Sequence, residues 1–304
     1  MINLTTKFCQ RYFSSFLVSA SGIVVDLKEN IKLGKIKGVG GITTKSISLY
    51  PRIGHPLPII AKYQAGYINA VGLKNPGLKK ASKELITLKQ KTKKNIIASI
   101  FAGQLNEFPI LAQEIAKTKP DFIELNLSCP NVDDEFGKPF ATDPLLSAMA
   151  VLEVKKVVKD IPVIAKLTPN TPDLKKVAYE VEQAGVDAIC AINTVGPGML
   201  INIKTRKLIL SHGVGGVSGT AIKPIALRCV NDIYKTVKIP IIGMGGINSG
   251  KDALEMIMAG ATLVGIGTAV YEGGYQVFDK IIEEMKVVMK QEKINSLKEI
   301  RGIV

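Results

Sequence analysis

Phe122-Ile123-Glu124-Leu125-Asn126-Leu127-Ser128-Cys129-Pro130-Asn131 combines an apolar run with a polar turn. Four of its first six residues are apolar, and the run stops at a thiol. Pro130 has no backbone N–H for a sheet ladder, and it restricts Cys129 to an extended conformation. The pattern predicts a buried strand that delivers a reactive group to a turn.

Seven further apolar runs share this strand-like character and alternate with stretches of helical periodicity. The eight predicted strands are Phe16–Ala20, Gly41–Lys45, Ile96–Ile100, Phe122–Asn126, Pro162–Lys166, Asp187–Ile192, Pro240–Gly243 and Leu263–Ile266. Predicted helices are Gly77–Thr92, Glu107–Thr118, Pro144–Lys159, Thr171–Gln183, Ile222–Thr236 and Gly250–Ala259. Strands that are apolar on both faces indicate a parallel sheet covered by helices, and eight of them favour an α/β (β/α)₈ TIM barrel over an open doubly wound sheet.

Two segments rich in proline or glycine interrupt the repeat, at 46–72 and 193–224. Both follow predicted strands, so in a barrel they would be long loops over the C-terminal mouth, where active sites are built. No linker or low-complexity segment divides the chain, and we expect one barrel domain over residues 1–304.

The composition restricts the class of protein. No apolar run approaches the roughly 20 residues that span a bilayer, and no signal peptide is apparent, so we expect a soluble, cytoplasmic protein without a membrane partner. The four cysteines are scattered and the chain has two histidines, which disfavours a disulfide framework, a metal site or an iron–sulfur site. The net charge of +14 suits nucleic acid or small anions, but lysine pairs recur on the predicted helices, which favours a lysine-coated surface.

Glycines follow the last two predicted strands, in Gly243-Met244-Gly245-Gly246-Ile247 and Gly265-Ile266-Gly267-Thr268. At these positions of a barrel, backbone N–H groups can surround a phosphate. Tight turns alone would also explain the glycines. Two such loops in adjacent units, with Gly219 in a third, favour a phosphate site.

Polar residues end several of the apolar runs, notably Lys45, Asn126, Lys166 and Asn193. Barrel interiors do not tolerate such groups unpaired, so a role in a site is the favoured interpretation. Side-chain alternation places Glu124 on the same face as Asn126. If that face is the interior, Glu124 needs a partner, for which Lys166 is a candidate.

Cys129 is the candidate catalytic residue. A single cysteine is more often a packed core thiol, but this one lies outside the strand and between the amides of Asn126 and Asn131. A thiol with an ordinary pKa of about 8.5 can act as a general base where its surroundings favour the thiolate. Cys190, within an apolar run, looks structural, and Cys9 and Cys229 have no supporting groups.

A resemblance covers nearly the whole chain. The run Asn126–Asn131 resembles the N-x-S-C-P-N loop of the class 1 dihydroorotate dehydrogenases, and further matches follow in order. These matches are Ala20-Ser21-Gly22, Thr44-Lys45-Ser46, Asn69-Ala70-Val71-Gly72-Leu73, Asn193-Thr194, Gly245-Gly246 and Gly267-Thr268. The resemblance implies a barrel with FMN at its mouth that oxidises dihydroorotate to orotate in pyrimidine biosynthesis.

The resemblance also implies roles for individual residues. Cys129 would remove the C5 proton while the C6 hydride passes to the flavin, and cysteine there argues against the membrane-associated class 2 enzymes, which have serine. The orotate site would be lined by Lys45, Asn69, Gly72, Leu73, Asn126, Asn131, Asn193 and Thr194. FMN would be held by Ala20, Ser21, Lys45, Lys166, Gly219, Gly245, Gly246, Gly267 and Thr268.

Within class 1, the segments 203–207 and 215–224 look like class 1B rather than the fumarate-using class 1A. The resemblance then implies a homodimer of this chain that pairs with an electron-transfer subunit, in a heterotetramer. That subunit would carry an iron–sulfur cluster and usually FAD, and would pass electrons to NAD. Val71 and the run Val195-Gly196-Pro197 depart from the family pattern.

Two alternatives from other functional classes stay open at this point. A tRNA dihydrouridine synthase is also an FMN barrel with a cysteine in a C-P loop, and the charge of +14 would suit its substrate. Against it, its cysteine normally follows glycine, and only about 30 residues follow Tyr271, too few for its RNA-binding domain. The second alternative is a non-catalytic barrel that binds a phosphate ligand or nucleic acid.

Overall fold

The computed structural model describes residues 4–128 and 139–304. Its centre is a closed barrel of eight parallel strands that pair in chain order, with the last strand pairing with the first. The barrel strands are β3 (Leu17–Ser19), β4 (Val39–Thr43), β7 (Asn95–Ile100), β8 (Phe122–Asn126), β9 (Val163–Lys166), β10 (Ala188–Ala191), β15 (Ile241–Met244) and β16 (Leu263–Ile266). Each overlaps one of the eight predicted strands, so the predicted (β/α)₈ barrel is confirmed.

Helices cover the outside of the barrel. They are α1 (Leu27–Gly34), α2 (Leu78–Lys91), α3 (Glu107–Ala116), α4 (Pro144–Val157), α5 (Leu174–Gln183), α6 (Lys223–Thr236), α7 (Gly250–Met258), α8 (Ala269–Gly273), α9 (Val277–Gln291) and α10 (Leu297–Ile300). Several begin at a side-chain cap: Asp143, Asp173 and Ser249 each accept a hydrogen bond from a first-turn N–H. The six predicted helices are present, whereas α1 and α8 to α10 were not predicted. None of the helices in the described part of the chain is long and apolar enough to cross a membrane.

An aromatic cluster closes the N-terminal end of the barrel. The strands β1 (Thr6–Phe8) and β2 (Arg11–Phe13) form an antiparallel hairpin that precedes the first barrel strand. The rings of Phe8 and Phe13 each lie 5.7 Å from the ring of Phe122, which begins β8. All three side chains are buried. The opposite, C-terminal end therefore remains as the end where a ligand can enter.

The two predicted loops over that end form a sheet. From the first segment come β5 (Ile60–Tyr63) and β6 (Gly66–Asn69), and from the second come β11 (Val195–Gly198) and β14 (Gly215–Ser218). They pair antiparallel in the order β11-β14-β6-β5. A further hairpin, β12 (Ile201–Asn202) with β13 (Lys207–Leu208), extends from the second segment. The long loops are thus a structured wall beside the mouth.

A glycine fixes how closely the first two barrel strands approach. A Cβ atom at Gly40 in β4 would lie 1.8 Å from the backbone oxygen of Ser15. The Ser15 hydroxyl also donates a hydrogen bond to the Gly38 oxygen, which holds these backbones together.

We therefore expect Gly40→Ala to destabilise the fold by at least about 2 kcal/mol, because backbone atoms must move to accept the methyl group. Gly185→Ala is the control: its φ is +87°, but nothing lies within 4 Å of the added Cβ. It should cost about 1–2 kcal/mol, because the left-handed backbone alone disfavours alanine. Urea unfolding of both variants measures the two values, and an equal cost would show that the contact at Gly40 is easily relieved.

Candidate active site

A cavity of about 340 Å³ opens at the C-terminal mouth of the barrel. Its lining comes from the ends of barrel strands and from the four-stranded sheet beside them. Every predicted site residue within the described ranges lines it: Ala20, Ser21, Lys45, Asn69, Gly72, Leu73, Asn126, Lys166, Asn193, Thr194, Gly219, Gly245, Gly246, Gly267 and Thr268. The predicted residues Cys129 and Asn131 lie outside the described residues. Strand ends separated by up to 250 positions thus contribute to a single site.

A chain of side-chain hydrogen bonds crosses the mouth. The hydroxyl of Ser46 lies 3.1 Å from that of Ser21 and accepts a hydrogen bond of 3.0 Å from the Asn126 amide. The Oδ1 atom of Asn126 accepts from the backbone N–H and the hydroxyl of Ser128. The Asn193 amide in turn donates to the Ser128 hydroxyl at 2.9 Å. Asn126, Ser46 and Ser128 are all buried, so the chain fixes their amides and hydroxyls in one orientation.

The role of Ser46 and Ser128 was not predicted, although both stand in motifs that carry the family resemblance. Serine is common in turns, and nothing in the local sequence shows that these two hydroxyls meet amides from distant strands. Only the closure of the barrel brings them together.

The floor of the cavity holds buried charges. Lys166, at the end of β9, is 5% exposed, and its Nζ lies against Met244 Sδ and 3.3 Å from Cys190 Sγ. Burial raises the pKa of the Cys190 thiol to about 12, so this cysteine is protonated at neutral pH. No carboxylate in the described part of the chain forms an ion pair with Lys166. The Cys190 thiol lies beside the ammonium group, and Glu124 makes no direct ion pair with it; whether Lys166 compensates Glu124 stays a prediction.

Glycines form a cup at another part of the cavity. Gly245 and Gly246 follow β15 with φ values of +128° and +75°, and Gly219 precedes α6 with φ +97°. A Cβ at Gly246 would lie 2.6–2.7 Å from atoms of Lys223. Gly267, by contrast, has no atom within 3.4 Å of its Cβ position, and Thr268 beside it donates a hydrogen bond to the Ser218 hydroxyl. Backbone exposed in this way suits an anionic group such as a phosphate.

An ion-pair network braces this cup. Lys223 pairs with Asp252 at 2.7 Å and with Glu255 at 2.8 Å, and these hydrogen bonds raise the pKa of Lys223. The other oxygen of Asp252 accepts from the backbone N–H of Asn248, which follows the glycine pair. The loop after β15 is therefore attached to the starts of both α6 and α7.

The sheet beside the mouth contributes the remaining predicted residues. Asn69, which ends β6, donates to the backbone oxygen of Gly216 in β14. Gly72 packs against His55, whose ring stacks on His212 with 4.0 Å between the ring centroids. This stack joins the two segments that form the sheet.

A polar and aromatic rim was not predicted. Tyr67 and Tyr271 line the cavity with 5.5 Å between their ring centroids, and Glu272 pairs with Lys62 at 2.8 Å. These contacts attach the β5–β6 hairpin to α8. The sequence carried no signal for them, since each pair joins an element to another about 200 positions away.

Comparison with known proteins identifies the family. Residues 3–289 match the dihydroorotate dehydrogenase family. The chain is 39% identical over 300 residues to dihydroorotate dehydrogenase B (NAD(+)), catalytic subunit, of Methanothermobacter thermautotrophicus, covering 99% of this chain and 98% of that protein. It is 42% identical over 303 residues to the protein of the same name from Methanocaldococcus jannaschii, covering 99% of this chain and 97% of that one.

The fold is shared with solved structures as well. The ligand-free DHODH of Eimeria tenella has a TM-score of 0.87 with 19% sequence identity, covering 99% of this chain and 91% of that chain. The family match decides between the two FMN-barrel enzymes considered from the sequence. The chain belongs to the dihydroorotate dehydrogenase family of oxidoreductases, and within it to class 1B.

Proposed function

We propose that this chain oxidises (S)-dihydroorotate to orotate in de novo pyrimidine biosynthesis, with FMN as its bound cofactor. The observation that carries the proposal is the composition of the cavity at the barrel mouth. It combines a fixed row of amides and hydroxyls, a buried ammonium group and a glycine cup at one barrel mouth. The relatives are named as catalytic subunits of dihydroorotate dehydrogenase, which agrees with this activity.

The cavity fits FMN in three respects. Its volume of about 340 Å³ lies in the range of small-molecule sites. The cup of Gly219, Gly245, Gly246 and Gly267, with the Thr268 hydroxyl, suits the phosphate. The buried Lys166 amine, which contacts the sulfur atoms of Cys190 and Met244, suits a group that gains negative charge. Bound FMN would supply the acceptor for the hydride, and Ala20, Ser21 and Lys45 would complete its site.

The amides suit orotate, a planar ring that carries carbonyls, N–H groups and a carboxylate. Amide side chains both donate and accept hydrogen bonds, and Asn69, Asn126 and Asn193 all line the cavity. Each of these three amides already makes at least one hydrogen bond to protein, which holds its orientation before a ligand arrives. We assign Lys45, Gly72, Leu73, Asn131 and Thr194 to the same substrate site.

We assign Cys129 as the general base that takes the C5 proton. It follows Ser128, whose backbone and hydroxyl are held by the amides of Asn126 and Asn193. A base on this loop would thus start from a fixed point beside the substrate amides. The proton leaves C5 as the hydride leaves C6, which creates the double bond of orotate.

Cys129→Ala should keep FMN but reduce the rate of flavin reduction by dihydroorotate by about 10²- to 10⁴-fold, because a general base contributes that much. Anaerobic stopped-flow absorbance measures the rate. Cys229→Ala, on α6 outside the cavity, is the matched control and should reduce at the parental rate. A Cys129→Ala variant as fast as the parent would remove this residue from the mechanism.

Gly246→Ala should weaken FMN binding. The substitution strains a backbone at φ +75° and pushes a methyl group against Lys223. Strain of about 1–3 kcal/mol corresponds to roughly 5- to 150-fold in the dissociation constant. Fluorescence titration of the flavin-free protein measures it. Gly185→Ala, with a φ of +87° outside the cavity, should bind FMN with parental affinity; equal losses in both variants would refute the placement of the phosphate.

We further propose that electrons leave this chain for a partner subunit that carries an iron–sulfur cluster and FAD and reduces NAD, in a heterotetramer built on a homodimer. The four scattered cysteines of this sequence lack the spacing of an iron–sulfur site, which favours a cluster on another chain. The names of the relatives specify a catalytic subunit and NAD(+), in agreement with this arrangement.

Purification of the chain from its native host should therefore yield a complex with an iron–sulfur protein, and this complex should reduce NAD with dihydroorotate. Absorbance spectra and steady-state assays measure both. Efficient turnover of the isolated chain with fumarate would contradict the partner proposal. A colourless protein that binds no flavin would contradict the whole function and leave a non-catalytic barrel.

A further inference from the structure

A buried carboxylate lies in the floor of the cavity without an assigned function. Glu124, in the middle of β8, is 1% exposed and lines the cavity. Its Oε1 atom is buried and has no hydrogen-bond partner within the described ranges. Burial of a carboxylate is costly unless an opposite charge or hydrogen bonds compensate it. A glutamate retained at this position therefore needs a compensating group.

The compensating charge is on the next strand. In the β8–β9 register, Asn126 pairs with Lys166 and Glu124 pairs with Ile164, so Glu124 lies one same-face position deeper in the barrel than Asn126. Lys166 is itself almost fully buried. Among the described residues, the cavity is also lined by the charged residues Lys45, beside Gly22, and Glu272, which pairs with Lys62. Lys166 is thus the cation that shares the floor with Glu124.

Cys190 lies beside Lys166 in the cavity floor. It pairs with Lys166 across β9 and β10, and its Sγ accepts a hydrogen bond from the Lys166 ammonium group. Burial chiefly raises its pKa, which Lys166 lowers and Glu124 raises, so both charges act on this thiol. The Cys190 thiol also contacts Met244 Sδ at 4.0 Å, so it fills the space beside the Lys166 ammonium group.

We propose that Glu124 is a positioning residue for Lys166: as the counter-charge in the cavity floor, it holds the Lys166 amine in place and lowers the reduction potential of the bound flavin. This inference rests on the proposed function. Lys166 favours the more negative, reduced form of a flavin, and a carboxylate behind it offsets part of that effect. The floor would thus keep the reduced cofactor ready to pass electrons onward.

The first test is the midpoint potential of the flavin in the Glu124→Gln variant of the full chain. The substitution keeps the size of the side chain and removes one negative charge, so the potential should become more positive than that of the parent. Glu283→Gln is the matched control, since it removes the same charge from a side chain that is 70% exposed on α9. Its potential should equal the parental value. A Glu124→Gln variant with the parental potential would overturn the proposal.

A second test needs no cofactor. In flavin-free protein, Lys166→Met should lower the melting temperature, because it leaves the Glu124 carboxylate buried without its cation. The double variant Glu124→Gln/Lys166→Met should melt above Lys166→Met alone. If Glu124→Gln shifts the melting temperature by the same amount in the parent and in Lys166→Met, the two charges are independent and the proposal fails. This cycle distinguishes a failure of the inference from a failure of the proposed function. If the parent binds no flavin but the variants show this rescue, FMN binding and the effect on the flavin potential are refuted, whereas the charge coupling between Glu124 and Lys166 stands.

Discussion

The row of hydrogen bonds from Ser21 through Ser46, Asn126 and Ser128 to Asn193 is the constraint on which the mouth of this barrel depends. These five groups come from four strand ends and are satisfied by one another, so none of them is left buried without a partner. Because the strands are parallel, all their carboxyl ends lie at this one end, while Phe8, Phe13 and Phe122 fill the other. An apolar barrel can thus carry a polar site without a loss of packing.

The floor of the cavity belongs both to the barrel interior and to the site. Below the mouth the interior is formed by apolar side chains such as Ile164 and by the Cys190 thiol, and Lys166 extends its ammonium group just above them. A cation in this position costs free energy that a purely apolar floor would not, and Glu124 beneath it compensates. The fold therefore accepts a buried pair of charges that stability alone would not select, which is the usual sign of a functional arrangement.

The barrel could be predicted from the sequence because each of its strands is a continuous apolar run, as strands buried on both faces must be. The polar residues after these strands could be predicted for the same reason, since Lys45, Asn126 and Asn193 interrupt an apolar pattern. The sheet beside the mouth could not be predicted. Its central pairing joins Asn69 to Gly216, and its strands carry glycine and proline rather than an alternating pattern. Register over such a separation is set by the barrel that brings the segments together, and no local property of either segment encodes it.

Contacts between distant strands also fix the start of the loop that carries Cys129. A general base loses most of its effect when it is displaced by about 1 Å, so the residue that carries it must begin from a fixed position. Ser128 provides that position, because its N–H and hydroxyl contact Asn126 while its oxygen and hydroxyl accept from Asn193. These amides come from β8 and from the end of β10, and the substrate would contact the same two side chains. A single pair of asparagines would therefore orient both the ligand and the start of the loop that bears Cys129, so that neither could shift without the other.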